Sequence, residues 1–215
     1  MQSIKNTDKA ALQRAARLGR RLAGRQVILA SASPRRNELM RAITSDFLTE
    51  PADIDESLPD YIPAKMASEY LARLKCLAVA KTHPHALVIG SDTTVVVDNE
   101  ILGKPNDAKQ AKNMLKRLSG RTHSVVSGIA VSCNGRLASS SDVTSVVFTE
   151  LDEQLIDWYI STGSPFDKAG GYGIQDFKKD EVYIGSGSYT NVVGLPVEEL
   201  TFLIDAFLDE EPEVR

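Results

Sequence analysis

The sequence is poor in the residues that build disulfide frameworks and His/Cys metal centres. Its 215 residues include two cysteines, Cys76 and Cys133, and three histidines. The two cysteines lie far apart and form no CxxC motif, which excludes a zinc knuckle and a disulfide framework and is typical of a reducing compartment. A metal site made of His and Cys ligands is therefore not expected.

Long apolar runs are also missing. No stretch approaches the roughly 20 apolar residues that a membrane helix needs. The N-terminus lacks the apolar segment of a signal peptide. We therefore expect a soluble, cytoplasmic protein with no membrane partner.

Charge is unevenly distributed along the chain. Residues 1–25 carry seven Lys/Arg and one acid, whereas the remaining residues carry 18 basic and 28 acidic side chains. Such a negatively charged body does not favour nucleic acid, so no nucleic-acid partner is expected. In this basic extension Ala11, Ala15, Leu18 and Leu22 fall on one helical stripe. That pattern favours either a dispensable extension or a helix that packs on the domain. A segment that binds a membrane or nucleic acid, or that directs targeting, is the less favoured interpretation.

The rest of the chain predicts one α/β domain over residues 26–209, followed by an acidic tail at 210–215. Hydrophobic residues make up 42% of the chain, enough for one sizeable core, and no internal repeat or Pro- or Ser-rich linker divides it. Strands and helices alternate, and a hairpin with a tight Asn134-Gly135 turn interrupts the crossover units. The sheet is therefore expected to be mixed.

The periodicity of individual segments predicts which side chains are buried. A buried strand over 26–31 precedes a helix that starts at Pro34, and two apolar β runs lie on either side of Ser91-Asp92. A helix over 63–83 is expected to face the core with a stripe made of Met66, Tyr70, Leu74 and Leu77. Later helices are predicted to start near Asp107, Asp152 and Pro196.

Two adjacent arginines follow a Ser-Pro pair in the stretch SASPRRNELM, residues 31–40. Ser33 is placed to cap the predicted helix and Pro34 to occupy its first turn, so Arg35 and Arg36 lie where the helix dipole is positive. Two guanidinium groups at that end are unfavourable unless an external anion is supplied. The alternative is that both arginines extend into water or pair with surface acids.

A carboxylate lies between two strongly apolar runs in GSDTTVVVDNEILGKP, residues 90–105. Burying Asp92 there is costly unless it binds a metal ion or joins a hydrogen-bond network. The alternative is a structural aspartate that bonds within a turn. Lys104, after an expected Asp98-Asn99 turn, is by itself an ordinary exposed lysine. P-loop, GxGxxG and GxSxG motifs are absent, and nothing in its spacing makes His123 a catalytic base.

Five stretches of the sequence occur in an order and at intervals typical of one known family. They are LASASPRR, GSDTTVVVDNEILGKP, LSGRTHSVVSGIAV, DKAGGYGIQ and GSYTNVVGLP. Together they resemble the Maf family of nucleoside triphosphate pyrophosphatases, over a range from Val27 to Phe207. The resemblance implies a two-lobed α/β fold with a long curved mixed sheet flanked by helices, similar to inosine triphosphate pyrophosphatases. It also implies a nucleotide-binding cleft between the lobes.

The resemblance further implies hydrolysis of a nucleoside triphosphate to the monophosphate and pyrophosphate with a divalent cation, Mg²⁺ or Mn²⁺. Glu56 matches an acid that helps to hold this metal ion, and Asp92 matches an acid that is either the general base or a metal ligand. Residues that match the family's triphosphate contacts are Ser31, Arg35, Arg36, Lys75 and Lys104. Members are often dimers, and the sequence itself does not determine the oligomeric state.

Three positions resemble the dTTP/UTP subfamily, namely Arg35, Thr93 and Gln175. The subfamily that acts on 7-methyl-GTP typically has an aromatic residue at the position of Arg35. The amide of Gln175 can both donate and accept a hydrogen bond, so it can match the O4/N3 edge of a pyrimidine. The resemblance therefore implies dTTP, UTP or a modified pyrimidine nucleotide as substrate.

Two questions stay open at the level of the sequence. Attack of water at the α-phosphorus releases pyrophosphate and attack at the γ-phosphorus releases orthophosphate, and only the family resemblance implies the former. The other function class is a nucleotide-binding regulator of cell division and septum formation with little turnover. The joint presence of Glu56, Asp92, Lys75 and Lys104 favours the enzyme, because a pure binder needs cations but no water-activating acid.

Overall fold

The computed structural model describes the backbone of residues 7–210 and the side chains of residues 14–210. Its α-helices are α1 (Thr7–Leu22), α2 (Pro34–Met40), α3 (Ala67–Ala80), α4 (Ala108–Leu118), α5 (Glu153–Ser161), α6 (Tyr189–Val193) and α7 (Val197–Asp209). Its strands are β1 (Val27–Ala30), β2 (Leu48–Thr49), β3 (Leu87–Val97), β4 (Glu100–Leu102), β5 (Thr122–Cys133), β6 (Arg136–Phe148) and β7 (Val182–Ser186).

The described strands form one mixed sheet in the order β2-β1-β3-β5-β6-β7, with β4 paired to β3. Strand β1 is parallel to both β2 and β3, whereas the remaining pairs are antiparallel. Because helices pack on this sheet and connect its parallel strands, the predicted α/β class with a mixed sheet is confirmed. The expected Asn134-Gly135 hairpin turn is also present, with both residues in the left-handed region at φ 51° and 78°.

Two large hydrophobic clusters lie at opposite ends of the longest strands. The first contains Leu87 and Ile89 of β3 together with buried residues of α1 and α7. The second contains Val95 and Val97 of β3 together with buried residues of α4 and α5. Strand β3 is continuous between them, so the two apolar runs expected on either side of Ser91-Asp92 are one strand. Asp92 therefore lies between the two clusters.

The basic N-terminal segment forms a helix that packs on the domain. Ala15, Leu18 and Leu22 of its predicted apolar stripe are buried in the first hydrophobic cluster, whereas the side chain of Ala11 lies outside the described residues. Arg21 donates to the carboxylates of Asp205 at 2.6 Å and Asp209 at 2.7 Å, both on α7. The tail beyond residue 210 also lies outside the described residues. Among the described helices, none combines the length and apolar character of a membrane-spanning segment.

The core stripe predicted for the helix over 63–83 is wrong. Met66 and Leu77 are 56% and 38% exposed, and Tyr70 and Leu74 are half-buried. Apart from Leu71, the buried face of α3 instead carries smaller or polar residues, namely Ala67, Ser68, Ala72, Lys75, Cys76 and Val79.

Close approach of the backbones explains why small residues face the sheet. A Cβ atom on Gly90 would lie 2.2 Å from the carbonyl oxygen of Ala72, and one on Gly128 would lie 2.2 Å from the backbone nitrogen of Glu69. These separations leave no room for a side chain on the strand or a large one on the helix. Helix α3 therefore turns most of its large apolar residues away from the sheet, with Leu71 as the exception.

Candidate active site

A gap beside β3 forms the cleft. Strand β1 ends where Ala30 pairs with Gly90, and β4 joins the same edge of β3 only from Val95 onward. No strand of the described chain covers the edge between these points. A cleft of about 600 Å³ opens there, outside the carboxyl end of β1, where α/β sheets commonly bind ligands.

A buried lysine joins two carboxylates on the floor of this cleft. Lys75 Nζ lies 2.6 Å from Asp92 Oδ1 and 2.7 Å from Glu56 Oε1. Lys75 reaches Asp92 because α3 lies directly on β3 and β5 at Gly90 and Gly128, and Gly128 is the β5 partner of Asp92. Asp92 is buried in the middle of a strand, so its bond to Lys75 corresponds to the hydrogen-bond network expected for a buried acid, not to a turn.

Glu56 remains ionised because of the cations around it. Partial burial raises the pKa of this carboxyl group, but the hydrogen bond and charge of Lys75, with the charges of Lys104 and Arg36, lower it overall below its ordinary value. Its side chain is more exposed than that of Asp92. The floor therefore presents one buried carboxylate and one accessible carboxylate around the same ammonium group.

Arg36 is fixed by oxygen atoms that carry no net charge. Its Nε donates to the carbonyl of Gly194 at 2.8 Å, and its two terminal nitrogens donate to Ser31 Oγ at 3.3 Å and Thr93 Oγ1 at 3.1 Å. Burial lowers the pKa of Arg36. The negative charge of Asp92 raises this pKa in part, and the positive charge of Arg35 lowers it further. The guanidinium group is thus oriented without being neutralised by a direct carboxylate bond.

Arg35 bonds to an acid on the opposite wall of the cleft. Its NH1 lies 2.7 Å from Asp167 Oδ2, and its NH2 donates to the carbonyl oxygen of Asp167 at 3.3 Å. As expected, Ser33 caps α2 by accepting a hydrogen bond from the backbone N–H of Arg36, and Pro34 occupies the first turn. For Arg35, the alternative of pairing with an acid therefore describes the structure, whereas Arg36 bonds to uncharged partners.

The remaining predicted positions lie around the same space. Thr93 Oγ1 is 2.9 Å from Ser127 Oγ, and Gln175 and Lys104 are exposed residues at the cleft. All nine predicted site residues line one cleft, namely Ser31, Arg35, Arg36, Glu56, Lys75, Asp92, Thr93, Lys104 and Gln175. Their roles stay predictions, but the fold brings together residues that are far apart in sequence.

Sequence reasoning missed two charged residues of the cleft wall. Asp167 and Lys168 are the first two residues of the DKAGGYGIQ stretch, and Lys168 Nζ lies 2.6 Å from Asp167 Oδ1 and 2.7 Å from the carbonyl oxygen of Ser164. Partial burial raises the pKa of Asp167, but the bonds from Lys168 and Arg35 lower it overall. The partner of Asp167 on α2 is 132 residues away, so no local pattern could indicate this contact.

His123 packs against residues of the second hydrophobic cluster and does not line the cleft. Its Nε2 is 2.6 Å from the hydroxyl oxygen of Tyr172, and Phe148 packs beside its ring. Burial lowers the pKa of His123 to about 4. This imidazole is neutral near pH 7 and has no place at the cleft floor, in keeping with the absence of a catalytic pattern around it.

Comparison with known proteins places the chain in a family. The family profile described as Maf-like protein matches residues 26–207. The chain belongs to the Maf family. The resemblance carried by its five motifs is therefore confirmed.

Relatives of this Maf protein align with most of its length. A protein named dTTP/UTP pyrophosphatase from Thermosipho africanus is 43% identical over 175 residues, which cover 81% of this chain and 90% of that protein. Another protein of the same name, from Pyrococcus abyssi, is 41% identical over 187 residues, which cover 87% of this chain and 99% of that protein. A solved dITP/XTP pyrophosphatase from Mycobacterium abscessus is 15% identical, with a TM-score of 0.42 over 87% of this chain and 99% of that chain.

Proposed function

We propose that this protein is a nucleoside triphosphate pyrophosphatase that converts dTTP and UTP to the monophosphate and pyrophosphate. The observation that carries the proposal is the buried Lys75, which holds Asp92 and Glu56 on the floor of a cleft. Cationic side chains, Arg35, Arg36 and Lys104, line the same cleft. The shared name of the relatives from Thermosipho africanus and Pyrococcus abyssi supports the substrates.

The cations suit a triphosphate. Phosphoryl-type displacement depends mainly on positioning and on stabilising negative charge, for which fixed Arg and Lys side chains are suited. Arg36 is oriented by three uncharged oxygens, so its positive charge is available to a substrate anion. Lys104 makes no ion pair within the part of the chain that the structure describes and can approach a phosphate from the cleft rim.

The two carboxylates fit a hard divalent cation. Glu56 and Asp92 both lie within 2.7 Å of Lys75 Nζ, so their oxygens converge on one region of the cleft. Mg²⁺ and Mn²⁺ prefer oxygen ligands, and Mg²⁺ is commonly held by one or two carboxylates with substrate phosphates and waters. Glu56 would hold this ion beside Asp92, and the ion when bound would neutralise phosphate charge and lower the pKa of a bound water.

Asp92 is the group that we assign to proton transfer. Lys75 binds one of its oxygens at 2.6 Å and thereby orients the carboxylate, and the second oxygen is the proposed acceptor of a proton from the attacking water. Attack at the α-phosphorus then expels pyrophosphate as the leaving group. No covalent intermediate with the protein is needed.

Gln175 and Thr93 are the residues that we assign to nucleotide choice. Both line the cleft, which also has an apolar wall that includes Val95 and Val193. An apolar wall with a few polar groups is the usual composition of a small-molecule pocket. The amide of Gln175 can donate to O4 and accept from N3–H of thymine or uracil, so we propose that it reads the pyrimidine edge.

A product assay tests this function directly. The protein is incubated with Mg²⁺ and, separately, dTTP, UTP, CTP, dATP, GTP and 7-methyl-GTP, and the products are separated. We expect dTMP or UMP together with pyrophosphate. Diphosphate with orthophosphate would contradict attack at the α-phosphorus, and cleavage of 7-methyl-GTP alone would contradict the assigned base preference. Binding without cleavage of any nucleotide would favour the regulatory function.

A further inference from the structure

One buried hydroxyl group joins both ends of the turn that carries Gln175. The turn runs from Gly173 to Asp176 and is closed by a bond of 3.0 Å from the backbone N–H of Asp176 to the carbonyl oxygen of Gly173. The hydroxyl of Tyr159 accepts from the backbone N–H of Gly173 at 3.0 Å. The same hydroxyl donates to Asp176 Oδ2 at 2.7 Å. Tyr159 thus bonds on both sides of Gln175.

The core holds this hydroxyl in place. Tyr159 projects from α5, is 1% exposed and belongs to the second hydrophobic cluster. Its ring packs on Phe177, with ring centroids 4.6 Å apart. Burial raises the pKa of Tyr159, so the hydroxyl keeps its proton and continues to donate at ordinary pH.

The amide of Gln175 lies against the same turn. A Cβ atom on Gly173 would lie 2.7 Å from Gln175 Nε2 and 2.9 Å from Asp176 Oδ2. The amide nitrogen therefore occupies the space beside Gly173 that a side chain there would fill. Ser164 Oγ adds a bond of 2.7 Å to Asp176 Oδ2, which ties the start of the loop to the same carboxylate. A shift of Gly173 or Asp176 would therefore displace the amide in the cleft.

We propose that Tyr159 is a positioning residue for nucleotide selection, because its hydroxyl fixes the turn from which Gln175 faces the substrate. Tyr159 does not line the cleft itself and acts through Gln175. The inference rests on the proposed function, since it concerns how the pyrimidine is recognised in the cleft. It adds a group that links the second hydrophobic cluster to substrate choice.

The experiment compares Tyr159→Phe with a matched control, Thr201→Val. Each removes one buried hydroxyl, since Thr201 Oγ1 bonds to the carbonyl oxygen of Val197 at 2.7 Å within α7, away from the cleft. Tyr159→Phe removes both bonds to the turn. We expect it to raise KM for dTTP by about tenfold, the order of one hydrogen bond between Gln175 and the base, with little change in kcat. The preference for dTTP over dATP should fall in parallel. Thr201→Val should leave KM and preference unchanged.

A double-mutant cycle with Gln175→Ala separates positioning from a general structural effect. If Tyr159 acts through Gln175, Tyr159→Phe raises KM in the wild-type background but not in the Gln175→Ala background. An equal rise in both backgrounds, or a Gln175→Ala protein with wild-type KM, would overturn the inference. If Tyr159→Phe does not fold, Asp176→Asn replaces it in the cycle, because it changes the acceptor of the same hydroxyl.

The same measurements keep the inference separate from the proposed function. A wild-type protein that cleaves no nucleotide overturns the function itself. A wild-type protein that cleaves dTTP or UTP, combined with unchanged KM and preference in Tyr159→Phe, overturns only the role of Tyr159.

Discussion

Two ion pairs in the cleft have nearly the same length and very different surroundings. Lys75 and Asp92 on the floor are 2.6 Å apart, with side chains 11% and 12% exposed. Arg35 and Asp167 at the mouth are 2.7 Å apart, with side chains 29% and 62% exposed. A buried pair is costly to break because it leaves an uncompensated charge, whereas water screens an exposed pair and reduces its contribution. The distance between the charged atoms alone therefore does not show which of these two ion pairs contributes more to stability.

The two pairs also differ in how the fold holds them. The floor pair joins a helix to the middle of a strand, and the close contacts at Gly90 and Gly128 set the distance between those elements. The mouth pair joins α2 to the loop that leads to the Gln175 turn. In the proposed function, a substrate phosphate replaces the carboxylate of Asp167 on Arg35, because both are anions that bind guanidinium groups. We therefore associate the floor with chemistry and the mouth with binding.

Replacement of the floor carboxylate should have the largest effect. Asp92→Asn keeps the side-chain shape but removes the proposed proton acceptor, so we expect kcat for dTTP to fall by about 10²-fold or more. Lys75 keeps its contact with Glu56 at 2.7 Å, so the cleft should still bind nucleotide. Isothermal titration with a non-hydrolysable dTTP analogue measures that binding. Unchanged turnover would remove Asp92 from the mechanism.

Removal of the floor cation should cost stability as well as activity. Lys75→Met leaves Asp92 buried without its counter-ion, so we expect the free energy of unfolding to fall by about 3 kcal/mol near pH 7. In an Asp92→Asn background the same change should cost less, because no unpaired buried charge remains. Urea unfolding followed by circular dichroism measures all four proteins. Equal losses in both backgrounds would show that packing of the lysine stem, and not the buried charge, sets the cost.

The contrast also explains what could be predicted from the sequence. Three site residues conflict with their local sequence patterns. Arg35 and Arg36 are cations at the start of a helix, and Asp92 is an acid between apolar runs. Such conflicts are typical of functional sites. Glu56, Lys75, Lys104 and Gln175 show no local conflict and were inferred from the family resemblance alone. Periodicity failed for α3 because it identifies large apolar residues, whereas close backbone approach to the sheet selected small ones.

Breaking the pair at the mouth should have the smallest effect of the three changes, and it should strengthen substrate binding instead of weakening the enzyme. Asp167→Asn removes the carboxylate that competes for Arg35, so we expect KM for dTTP to fall while kcat changes little. The free energy of unfolding should change by less than about 1 kcal/mol, because the pair is exposed. The decrease in KM should become smaller as salt is raised, because salt screens exposed charges. Kinetics at low and high ionic strength measure this difference. A rise in KM would instead mean that Asp167 holds Arg35 in its binding position, which would make the mouth pair as preorganised as the floor.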